Sequence, residues 1–178
     1  MMDFDTLVDR YQKPIFNLIY RMLGDWDEAC DLTQETFVAA YRSFDDFRGE
    51  SSVYTWLYRI AVNSCKNRFR DSDRRARHEG PSLDETLDDG GSRTLQDTTA
   101  DSDTPHQALQ RKELKKRIWQ AILQLPSDYR IVAVLRDIHG LSYQEVAEAA
   151  DLSVDVVRTR LARARGMVRR KLEAYLTE

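Results

Sequence analysis

Very little in this 178-residue chain could cross-link it or ligate a metal. Its two cysteines, Cys30 and Cys65, lie far apart with no C-x-x-C spacing, and its three histidines, His78, His106 and His139, are scattered. Such placement argues against a disulfide framework or a zinc site and leaves both thiols as small buried hydrophobes. No apolar run approaches the ~20 residues needed to span a bilayer, and no charged-then-apolar leader is present, so cytoplasmic residence is expected. The alternation of a half-buried strand is absent, as is any internal repeat. There is no nucleophile–base pair, no phosphate-cradling loop and no metal cluster, which argues against an enzyme and against any cofactor. Asp25, Asp27, Glu28 and Asp31 come nearest to a carboxylate cluster, but their spacing fits no calcium loop.

What is present is charge, unevenly spread. The net −3 divides into −2 over residues 1–70, −6 over 71–110 and +5 over 111–178. Local sign matters more than the sum, so DNA is expected at the basic end. Glycine, proline, serine, threonine and aspartate crowd residues 78–106, a stretch too poor in bulky apolar side chains to offset its ordering entropy. The fold expected is all-α: two small helical domains, residues 1–72 and 108–178, joined by a flexible acidic linker over 73–107. Three helices are expected before the linker, at about 4–23, 26–43 and 52–70, with Asp25 and Ser51 or Ser52 as N-caps. Pro14 is expected to kink or restart the first, and Gly24 to end it. Four more are expected after the linker, at about 107–124, 127–138, 142–149 and 153–175, with breaks at Pro126, Gly140 and Asp151 to Ser153.

Residues 44–70, FDDFRGESSVYTWLYRIAVNSCKNRFR, interleave rings, cations and carboxamides. Phe47, Trp56 and Tyr58 offer ring faces, Arg59 and Lys66 offer charge, and Asn63 and Asn67 can hydrogen-bond a base edge. Stacking of an unpaired base on an aromatic is worth about 1–3 kcal/mol, and cations beside it follow the backbone. The plain alternative is an amphipathic helix with an aromatic core. Against it, Arg59, Asn63, Lys66, Asn67 and Arg70 recur on one helical side.

Residues 142–170 have the outline of a helix-turn-helix. Val157, Leu161, Ala164, Val168 and Leu172 form one apolar face, and seven cations from Arg158 to Lys171 fill other positions with no acid between Asp155 and Glu173. A solvated helix normally mixes signs, whereas a major groove accepts a cationic one. The helix over 26–43 brings Asp31, Gln34, Glu35, Val38 and Arg42 to one side by spacings of three and four; alone, it reads as an ordinary surface helix.

The segment FRGESSVYTWLYRIAVNSCKNRFR resembles the DNA-melting segment of bacterial RNA polymerase sigma factors of the extracytoplasmic-function group, of the envelope-stress type. LPSDYRIVAVLRDIHGLSYQEVAEAADLSVDVVRTRLARARGMVRRKL resembles the same group's C-terminal domain, and DWDEACDLTQETFVAAYR its core-binding segment. The resemblance implies that residues 1–72 are sigma region 2 and residues 108–178 sigma region 4. It implies a pocket for a flipped minus-ten base lined by Ser43, Phe47, Asn63 and Asn67, with Trp56, Tyr58, Arg59 and Lys66 supporting the opened strand. It places Arg158, Thr159, Arg160, Ala162 and Arg163 on the minus-thirty-five duplex. Asp31, Gln34, Glu35, Val38 and Arg42 would dock on the clamp helices of the largest polymerase subunit, and region 4 on the flap of the second largest. Promoter DNA is the other implied partner, and family members often have an anti-sigma partner. One departure stands out: Asp151 occupies a turn where the family commonly has glycine.

Two functions are compatible with these features. The first is an alternative sigma factor that binds core polymerase, directs it to promoters and melts the minus-ten region. The second is a helix-turn-helix regulator of duplex DNA that acts without polymerase, for which the ring-and-amide stripe at 54–67 would be superfluous.

Overall fold

Local capping chemistry sets where each helix begins. In the computed structural model, which describes residues 3–47, 49, 51–79 and 105–176, α1 spans Phe4–Leu23, and Asp3 caps it by accepting from the Thr6 amide at 2.8 Å. Gly24 ends it in the left-handed region at φ 80°, its amide donating to the Tyr20 carbonyl. Pro14 neither breaks nor restarts the element, contrary to expectation; α1 runs through it. Asp25 then caps α2, Trp26–Arg42, accepting from the Glu28 amide at 2.7 Å. The side chain of Ser52 accepts from the Thr55 amide at 3.0 Å and opens α3.

That third helix is longer than its apolar pattern suggests. It covers Val53–Glu79, extending past residue 70 through a charged tail exposed from Arg70 to His78. The acidic stretch at 80–104 lies outside the described residues.

Four helices make up the remainder: α4 at Pro105–Leu123, α5 at Ser127–Ala133, α6 at Tyr143–Ala150 and α7 at Val154–Leu176. A single π-helical segment, Val134–Ile138, prolongs α5; its wider turn is closed by the His139 amide on the Val134 carbonyl. Such turns insert one residue and re-aim the chain beyond them, and here they deliver His139. A reciprocal capping box between Ser142 and Glu145 starts α6. Asp151 ends it in the left-handed region, φ 55° and ψ 54°, the geometry that glycine would adopt without a Cβ penalty.

Each domain has its own core. Leu7, Ile15, Leu18, Ile19 and Met22 of α1 pack with Leu32 and Phe37 of α2 and Leu57 and Ala61 of α3; Ile122, Leu125, Val132, Leu135, Val146, Val157 and Leu161 fill the second. Among the described residues no strand occurs and no helix is long and apolar enough to cross a membrane. The two cores are continuous, because α3 packs against α6 and α1 against α4 and the π segment. Arg130 crosses the seam, donating to the Met22 carbonyl at 2.7 Å and lying over the Phe69 ring at 5.2 Å. Trp119 packs against Tyr20 at 5.2 Å, and the Arg21 guanidinium lies over its ring at 5.3 Å. At Gly24 an added Cβ would come within 3.0 Å of Leu123.

Candidate nucleic-acid interface

α3 presents three faces, and its residues divide among them by helical spacing. Leu57 and Ala61 are buried towards α1 and α2, where Arg68 also reaches Glu28 and Glu35, both at 3.8 Å. Tyr58, Lys66 and Phe69 face the second domain. Arg59, Asn63, Asn67 and Arg70 are exposed, and Arg70 donates to the Asn67 side chain.

The loop before α3 brings further rings to that helix. Ser43 ends α2, its hydroxyl donating to the Ala39 carbonyl at 3.1 Å, and Phe47 lies 5.0 Å from Trp56, centroid to centroid. Trp56 is half-buried and is also 6.4 Å from Phe44. Together Ser43, Phe47, Trp56 and Arg59 line a cleft of about 780 Å³. Its far wall belongs to the other domain: Gln144, Ala147 and Glu148 of α6, then Asp151 to Val154 of the turn into α7. Asp46, Ser51 and Thr55 also line it. Sequence pattern could not find these, since small polar residues at a helix start look like caps.

Three expected strand-contacting residues are placed differently from the rest. Tyr58 is 1% exposed, and its hydroxyl lies 3.0 Å from Nδ1 of His139; burial pushes its phenol above the usual range. Lys66 donates to the Ala150 carbonyl at the C-terminus of α6, where a cation is favoured by the helix dipole. Burial lowers its ammonium pKa, while Asp151 and Asp128 oppose that shift. Asn63 is exposed beyond the cleft lining. Ser43, Phe47, Trp56 and Arg59 are thus brought together, Asn63 and Asn67 continue the surface, and Tyr58 and Lys66 enter the seam.

On α7 the cations also separate. Arg165 chelates Asp137 through Nε at 3.1 Å and Nη2 at 2.6 Å, and that hydrogen bonding raises its pKa. Arg160 is drawn to Asp128 at 3.1 Å with its side chain 28% exposed. Arg158 lies 3.6 Å from Asp155 and over the Tyr143 ring at 5.8 Å. Thr159, Ala162 and Arg163 are exposed. Acids from α5 and the π segment therefore intersperse with the arginines in space, although none does so in sequence.

The exposed side of α2 carries Asp31, Gln34, Glu35, Arg42 and Val38, the last 51% exposed. A second apolar feature was less evident. Ile118, Ile122, Ala133, Ala164, Val168 and Leu172 line a groove between α4 and α7, rimmed by Asp137, Arg165, Arg169 and Glu173. Its signal was the apolar stripe of α7, which continues to Leu172 after the buried core ends at Ala164. Cys65 is buried, with its thiol pushed up to about 12, and Cys30 is half-buried. No group of metal-ligating side chains forms among the described residues.

Known proteins share this arrangement. Residues 7–75 match Sigma-70 region 2 and residues 115–168 match Sigma-70, region 4. The RNA polymerase sigma-H factor of Pseudomonas aeruginosa is 40% identical over 175 residues, 98% of this chain and 89% of that protein. The ECF RNA polymerase sigma-E factor of Haemophilus influenzae is 39% identical across 97% of this chain and 89% of its own length. Among solved structures, CnrH in complex with the cytosolic domain of CnrY aligns at TM-score 0.65 and 26% identity, covering 96% of this chain and 88% of that one. The sigma factor RpoE, in complex with the anti-sigma factor NepR from Bartonella quintana, shares the fold at TM-score 0.72 and 20% identity, covering 97% and 98%.

Proposed function

The chain belongs to the sigma-70 family, in its extracytoplasmic-function group, and on that premise we propose which of its surfaces carry out the work of an alternative sigma factor. Core RNA polymerase and promoter DNA are the partners, and the plain helix-turn-helix regulator is not favoured. The family consists of initiation factors, so the task is recognition and strand separation rather than bond chemistry.

The first domain, ending within α3, binds polymerase and captures the minus-ten strand; the second, from α4 onwards, reads the minus-thirty-five duplex. Val38 amid Asp31, Gln34, Glu35 and Arg42 gives α2 an apolar centre with a charged rim, the composition of a docking patch. The groove between α4 and α7 suits an apolar segment of the polymerase flap. Arg158, Thr159, Ala162 and Arg163 meet the duplex from the N-terminal half of α7, and Arg160 approaches it while tied to Asp128.

One observation carries the melting assignment. The Phe47–Trp56 ring pair sits beside Ser43 and Arg59 and continues into the exposed row of Asn63 and Asn67. A flipped base loses its stacking and pairing, a cost of a few kcal/mol, and this surface can restore both, with rings for the face and amides for the edge. Asn63→Ala tests it, because an exposed amide is nearly neutral for folding. The variant should bind polymerase and reach the promoter yet show weak permanganate reactivity of unpaired thymines, with only partial rescue on a pre-opened bubble. Opening equal to that of the parent chain would refute the pocket.

A further inference from the structure

Surfaces assigned to two distant stretches of promoter line one and the same cleft. Trp56 and Phe47, proposed for the minus-ten strand, face Val154, the first residue of the duplex-reading helix. Elements centred ten and thirty-five base pairs upstream are about 25 base pairs apart, or ~85 Å of duplex at 3.4 Å per pair. The whole of α7, with 23 residues, is only ~35 Å long at 1.5 Å per residue. A molecule docked in this way cannot hold both elements at once.

The docked arrangement also consumes the strand-binding groups themselves. Lys66 is engaged by the Ala150 carbonyl and Tyr58 by His139. Glu148 and Asp151 stand across the cleft from Arg59, placing carboxylates where an anionic strand would lie. We infer that this is a closed, self-inhibited state, in which the corner between α6 and α7 covers the strand-capture surface until polymerase and promoter draw the domains apart. The inference rests on the proposed sigma-factor surfaces.

The seam is built to part. Its polar contacts are few and reach across from Arg130, His139 and Lys66, and Nε1 of Trp119 and Nε2 of His139 are buried there without a hydrogen-bond partner. A permanent interior satisfies such atoms. Chain length permits the opening as well. Some 25 residues separate Glu79 from Pro105, and drawn out they reach about 80–90 Å.

The test uses the full chain with spin labels at Asp9 on α1 and Ala174 on α7, in a Cys30→Ser, Cys65→Ala background. Arg130→Ala and His139→Ala, made separately, each loosen the seam from the second domain, outside the proposed DNA surfaces. The unliganded parent should give one short distance, and core polymerase should lengthen it. Each variant should shift the free chain towards the long distance. Each should also bind a mixed-sequence fluorescent single-stranded oligonucleotide at least tenfold more tightly than the parent does, without polymerase. A parent already extended, variants that stay short, or opened variants that bind DNA no better would each overturn the inference. Adding Asn63→Ala to an opened variant separates the two claims. Loss of the gained binding supports both, whereas a retained gain leaves closure standing and removes the pocket assignment.

Discussion

At the scale of single residues, the partner of a side chain decides its role more than its identity does. Arg160 and Arg163 both belong to the recognition stretch of α7, yet Asp128 holds the first at 3.1 Å while the second is exposed. A base-reading arginine must present its fork freely to guanine, and Arg163 meets that condition. Arg163→Ala should therefore cost roughly 1–3 kcal/mol of duplex binding and relax preference at one promoter position. Arg160→Ala should instead weaken all promoters alike and lower the salt slope by about one, the behaviour of a phosphate contact. Binding titrations over single-base promoter variants at several salt concentrations distinguish the two. If Arg163→Ala weakens every sequence equally, it contacts phosphate and the base-reading assignment fails. The sequence revealed seven cations with no acid among them but not this division, because Asp128 and Asp137 are remote in the chain and meet α7 only after folding.

At the scale of elements, legibility followed the source of each helix's stability. Helices opened by a side-chain cap, as at Asp25, Ser52 and Ser142, begin within a residue or so of where the pattern places them. The end of α3 escaped detection because its last turns carry charge without apolar periodicity. The π segment was equally hidden, since one inserted residue leaves no compositional trace. α2 is the element whose assignment is cleanest to test. Glu35 lies 3.8 Å from Arg68 at an exposed site, and such pairs contribute at most about 1 kcal/mol, so Asp31→Lys with Glu35→Lys should leave the fold intact. The double variant should retain duplex binding and its melting temperature to within a few degrees. It should nevertheless lose most of its association with core polymerase in pull-down. Unimpaired association would move polymerase docking to another face.

At the scale of the whole molecule, the seam between domains was the least legible feature. Tyr58, Val62, Cys65 and Phe69 succeed one another at spacings of four, three and four, a stripe that reads equally as the interior of one domain. Only the fold assigns Tyr58 and Phe69 to the second domain, and only the π segment brings His139 to Tyr58. This contact gives closure a pH dependence. Burial first, then the Arg21 charge from α1, hold His139 down to about 4 in the docked state, against an ordinary value near 6.5 once exposed. Tyr58 faces it from α3 as a neutral phenol, and Asp137 on its own segment is committed to Arg165. A depressed pKa means that the docked state binds its proton less readily than the parted one. The stabilisation is thus fully present above about pH 6.5 and is lost as pH falls towards 4. Protonation also removes the Nδ1 lone pair that accepts from Tyr58. Between pH 7.5 and 5.5 the docking equilibrium should move about tenfold towards the open form, read as growth of the long spin-label distance. His139→Gln should flatten that response, and a parent chain whose distance distribution ignores pH over this range would exclude His139 as the titrating group.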